Sequence, residues 1–119
     1  MELEMANPEH VEVVKRGSAA ILWWRRENPG IRLDLSYASM PGVDLSCSNL
    51  TNADLTNANL INANLTGANL TGARMKDVKM DASIVEIETM KGLNTAKGLS
   101  GLIAIVADRM RAQELASKS

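Results

Sequence analysis

The sequence predicts a mainly β chain that winds into a coil and is closed at each end by a helix. Three observations point there. Between Ala53 and Ala73 one pattern recurs every five residues: Ala53-Asp54-Leu55-Thr56-Asn57, Ala58-Asn59-Leu60-Ile61-Asn62, Ala63-Asn64-Leu65-Thr66-Gly67 and Ala68-Asn69-Leu70-Thr71-Gly72. The segments on either side carry apolar residues at spacings closer to those of helices. At 119 residues, without Phe and with one Tyr, the chain has room for a single small aliphatic core.

A period of five fits neither an α-helix nor a straight strand. On a helix it would walk the Leu side chains around the surface and leave no continuous stripe. Within each unit, however, Ala and Leu are two positions apart, so a short extended piece points both to one side and the residue between them to the other. The remaining two residues are drawn largely from Asn, Thr, Ser and Gly, which turn the chain before the next unit. Repeated corners make a coil whose interior holds Leu and Ala.

Extending the register by five from Leu55 places Leu35, Met40, Leu45, Leu50, Leu55, Leu60, Leu65, Leu70, Met75 and Met80 at unit centres. The second inward position falls to Leu33, Ala38, Val43, Ser48, Ala53, Ala58, Ala63, Ala68, Ala73 and Val78. These units resemble the pentapeptide-repeat family. The resemblance implies a right-handed parallel quadrilateral β-helix in which four units complete one square turn. It also implies that same-face neighbours lie twenty residues apart, Leu35 over Leu55 and Met75. The run Gly17 through Leu35, with Trp24-Arg25, Asn28-Pro29 and Asp34-Leu35-Ser36, is similar to the leading cap of cyanobacterial-type members.

In chain order, 1–8 reads as a flexible arm and 9–30 as a helical cap, either one helix or two interrupted at Gly17-Ser18. Trp23 and Trp24 are the expected plug of the open end, and Asn28-Pro29-Gly30 stops the helix. Residues 31–90 form about three coils. After Met80 two phases are open: Ala82-Ser83-Ile84 as a unit arriving one residue early, or Val85 and Met90 as centres. Residues 91–119 read as a loop and a C-terminal helix, with Leu102, Ile105 and Val106 on its apolar side. This helix is expected to cap the coil and to offer a surface for a homodimer.

Chemistry is sparse. His10 is the single histidine and Cys47 the single cysteine, and there is no Gly-rich phosphate loop, so neither catalytic residues, nor a metal site, nor a cofactor is expected. A lone cysteine excludes an intrachain disulfide and fits a reducing compartment. No segment reads as a secretory signal or a membrane span, so a cytoplasmic bacterial protein is the expectation. Net charge is -1, which promises no strong pull on nucleic acid.

Outward residues change character along the axis, from Asp34, Asp44 and Asp54 to Arg74, Lys76 and Lys79. With Ile61, an apolar residue at an outward position, these three cations form the candidate interaction surface. Outward Thr residues are expected to stack as ladders, Thr51 near Thr71 and Thr56 near Lys76. The expected function is a noncatalytic structural or protein-interaction module with an unidentified protein partner, a regulatory scaffold being the runner-up within that reading. The alternative implied by the resemblance is a topoisomerase-binding DNA mimic of the quinolone-protecting type. Near-neutral charge and a short coil disfavour it, since mimicry needs a long acidic surface.

Overall fold

The computed structural model describes residues 6–80 together with 92 and 96. Helix α1 spans Pro8–Lys15 and α2 spans Ser18–Glu27. Asn7 starts α1: its Oδ1 accepts the N–H of Glu9 at 2.9 Å, and Pro8 occupies the first turn, where its missing N–H costs nothing. The helix therefore begins one residue before the expected cap boundary and takes the end of the expected arm. Gly17 separates the helices, its φ of 103° lying where a side chain would be strained. At the far end the Asn28 N–H and Nδ2 both donate to the Trp24 carbonyl at 2.9 Å.

From Leu33 onward each unit turns in the same way. The N–H of the inward small residue donates to the carbonyl of the preceding centre, as in Ala58 to Leu55 at 2.9 Å and Ala63 to Leu60 at 3.0 Å. The residue two after each centre has positive φ: Tyr37, Gly42, Cys47, Asn52, Asn57, Asn62, Gly67, Gly72 and Asp77. Positive φ at only the third of four residues is the signature of a type II turn, and it explains why Asn and Gly crowd this position.

Parallel pairing joins residues twenty apart. Strand β1, Asn59–Leu60, pairs with β2, Lys79–Met80, in the register Asn59 with Lys79 and Leu60 with Met80. Bridges of the same kind join Asp34 to Asp54, Ser39 to Asn59, Asp44 to Asn64, Asn49 to Asn69 and Asp54 to Arg74. Ladder partners are thus separated by four five-residue units, and the extended pieces are so short that most pairings are single bridges.

The core is the column this register builds. Leu35, Leu45, Leu50, Leu55, Leu70 and Met75 are fully buried, with Met40, Leu60 and Leu65 at 1% exposure. Ala53, Ala58, Ala63, Ala68 and Ala73 fill the second inward position, and Met80 is partly buried against the same cluster. Val14, Ile21 and Trp24 from the two helices belong to that cluster too. Trp24 and not Trp23 closes the end of the coil: Trp23 is 63% exposed. Ile21 and Trp24, three apart, share one face of α2, and a step of one residue rotates Trp23 away from it. The expected C-terminal cap residues Leu102, Ile105 and Val106, and both phases proposed after Met80, lie outside the described residues.

Candidate interaction surface

Each outward position has its own chemistry. The residue before a centre is Asp or Asn at Asp34, Asp44, Asn49, Asp54, Asn59, Asn64 and Asn69, and in all seven Oδ1 accepts the backbone N–H two residues on, at 3.0–3.2 Å. This Asx brace holds the corner in shape. At two Thr corners the same oxygen accepts the hydroxyl as well: Thr56 Oγ1 donates to Asp54 at 2.6 Å and Thr71 Oγ1 to Asn69 at 2.6 Å. The turns keep Thr51 in register with Thr71 and Thr56 with Lys76, since the Asn52 N–H donates to the Thr71 carbonyl and the Asn57 N–H to the Lys76 carbonyl. At Asp44 the Ser46 hydroxyl, aided by the Ser46 N–H, holds the carboxyl below its ordinary range.

Three described positions depart from Asp or Asn: Ser39, Arg74 and Lys79. Arg74 is bridged to Asp54 and Lys79 to Asn59, so both cations continue columns that carry braced corners one turn earlier. Lys76 follows one position after the Met75 centre, and Arg74, Lys76 and Lys79 are all exposed. Ile61, two residues after Asn59, is 40% exposed. The register therefore sets an apolar side chain beside a cationic third turn. Tyr37 and Pro41, both exposed, stand on the first turn of the same side.

The N-terminal end is built from polar contacts that residue spacing does not announce. Arg25, half-buried, donates from Nε to the Asn49 carbonyl at 2.8 Å and from Nη2 to the Thr51 carbonyl at 2.7 Å. Burial lowers its pKa from the ordinary value. His10 is buried edge-on to Trp24, with ring centroids 4.7 Å apart, and its Nδ1 accepts the Asp34 N–H at 2.9 Å. Nδ1 is accordingly unprotonated and Nε2 carries the proton of the neutral ring. In the sequence Arg25 is marked by the Trp24-Arg25 pair of the cap resemblance and His10 by being the lone histidine, and neither signal names the partner.

Cys47 is exposed at a corner, and among the described residues no group of three or more His, Cys, Asp or Glu side chains is placed to hold a metal ion. No helix among the described residues is long and apolar enough to cross a membrane. The shallow cleft between α1 and α2, about 380 Å³, is lined by Glu9, Glu12, Arg16 and the two Trp, with Arg16 Nε 3.9 Å from Glu12.

A parallel ladder twenty residues in pitch around a Leu column defines the class, a β-helix solenoid. Residues 31–60 and 48–84 match the family model of pentapeptide repeats, with eight copies, and the chain is a pentapeptide-repeat protein. No curated protein matches it.

Proposed function

We propose that this protein is a noncatalytic protein-interaction module, a regulatory scaffold of the cytoplasm whose third turn recognises an acidic surface on a protein partner. Its coil is taken to be the right-handed, square-sectioned form of the β-helix. The observation that carries this reading is the replacement of the Asx brace by Arg74 and Lys79. At seven corners the same position holds an oxygen that bonds the backbone, whereas Arg and Lys offer no acceptor there. A structural position has been given to cations, and Ile61 supplies an adjacent apolar anchor. Charge would steer the encounter and the rigid coil would limit the ordering cost of binding.

The test is affinity capture from the source organism with the wild-type chain and with Ile61→Asp and Lys79→Glu variants, joined to a gyrase protection assay. A partner retained by the wild type and lost from both variants supports the proposal. Capture that ignores both substitutions, or capture of gyrase with protection against quinolones, contradicts it.

A further inference from the structure

In a parallel ladder each bridged residue directs its own N–H and C=O to one side, while its two neighbours bond on the other. Around the first turn the bridged residues are Asp34, Ser39, Asp44 and Asn49. Bonding to the second turn uses their neighbours: Met40 N–H donates to Asn59 C=O and Asn59 N–H donates to Ala38 C=O, both at 2.9 Å. The N–H and C=O of the four bridged residues consequently face the N-terminal end, where a preceding turn would lie.

The helices answer only half of that rim. Asp34 donates to His10 and its carbonyl accepts the Asn7 N–H at 3.2 Å; the Asn49 carbonyl accepts from Arg25. Ser39 and Asp44 lie on the other two sides, are exposed, and have no backbone partner on this edge among the described residues. Beside them is a cleft of about 370 Å³, walled by Lys15 of α1 and lined by Met40, Pro41 and Val43. Lys15 has no ion pair among the described residues. Asp44 presents its carboxylate outward, and its ladder partner Asn64 is neutral. An open β edge with a cleft next to it is the arrangement that accepts an added strand, main-chain bonds giving affinity and side chains giving selectivity.

We propose that this half-rim docks a partner segment that turns one corner, pairing in parallel with Ser39 on one side and Asp44 on the next, with a basic side chain over Asp44 and an acidic one, five residues earlier, facing Lys15. The site lies on the N-terminal rim, one turn away from Ile61 on the side that Pro41 shares with it, and its two fixed charges of opposite sign select a segment of matching polarity.

A probe is at hand in the chain itself, because residues 56–66 already pair with residues 36–46 from the opposite side. The experiment titrates the full isotope-labelled chain with a synthetic peptide of residues 56–66 carrying Asn59→Asp and Asn64→Lys. Expected are shifts and slowed exchange of the Ser39 and Asp44 amides. Lys15→Glu, at an exposed residue, weakens binding about fivefold, as loss of a surface ion pair and gain of repulsion would. Ser39→Pro removes one rim donor that the coil itself does not use, and weakens it by a similar factor (about fivefold) with an unchanged melt. Lys79→Glu leaves binding unchanged. No saturable binding up to about 1 mM peptide overturns the proposal. So does binding that perturbs Ile61 and Lys79 while sparing Ser39 and Asp44. Concentration-dependent shifts of those two amides without peptide assign the rim to a second copy of the chain and overturn it equally.

Discussion

Arg25 and Asn49, twenty-four residues apart in sequence, are joined by a 2.8 Å hydrogen bond from Nε to a rim carbonyl, and the same guanidinium reaches Thr51 at 2.7 Å. One side chain thereby closes a corner of the coil that would otherwise end in two bare acceptors. Arg25→Met should lower unfolding free energy by about 1.5–3 kcal/mol, the scale for hydrogen bonds from a charged donor. Arg25→Lys should recover only part of it, since an ammonium cannot reproduce the planar fork. Urea melts of the three proteins check this; equal midpoints would leave Arg25 without its closing role.

How much of this was legible in the sequence divides along a physical line. The centres Leu35 to Met80 could be placed because a five-residue period and a two-residue step between inward positions are local properties of the chain. Arg25 and His10 could not be assigned their partners. Polar capping depends on where a helix lands on the rim, and no periodicity records that. Trp24 was the more legible plug of the two, because helical spacing sets it with Ile21 on the apolar side, and the rotation of α2 turns Trp23 out to 63% exposure. The Asx brace was hidden by a similar limit: Asp and Asn read as outward polar residues, and only the turn geometry shows each oxygen bonded two residues on.

That brace gives a second prediction. Arg74→Asn should supply an acceptor for the Lys76 N–H at the Met75–Val78 corner, where Arg74 offers none, and raise stability by about 0.5–1.5 kcal/mol, the net value of a hydrogen bond. The same change should abolish partner capture. A variant that melts no higher and still captures the partner would remove the basis for assigning Arg74 to recognition.

Ser48 offers a third. It occupies an inward position otherwise filled by Ala in the regular turns, is fully buried, and its hydroxyl has no hydrogen-bond partner. Ser48→Ala deletes the unsatisfied group with almost no change of volume and should stabilise the fold by about 1–3 kcal/mol. Thermal unfolding decides; a lower melting temperature would mean that the hydroxyl is satisfied in solution.

Two glycines at equivalent corners separate backbone strain from crowding. Gly72 has φ of 68° and a Cβ there would collide with Asn52 Oδ1, whereas Gly42, with φ of 71°, has open space around it. Gly42→Ala should cost about 1 kcal/mol for the left-handed backbone alone, and Gly72→Ala more, about 2–3 kcal/mol, since the Asn52 side chain must also move. Equal losses in denaturant melts would show that Asn52 yields freely.

The central claim is that backbone groups pair across twenty residues around a dry Leu column, and scalar couplings transmitted through hydrogen bonds measure that pairing directly. The account predicts couplings from the amide nitrogens of Met40, Leu45, Leu50 and Leu55 to the carbonyl carbons of Asn59, Asn64, Asn69 and Arg74. Couplings from these four amides to any other carbonyl, or none in a folded sample, would contradict it.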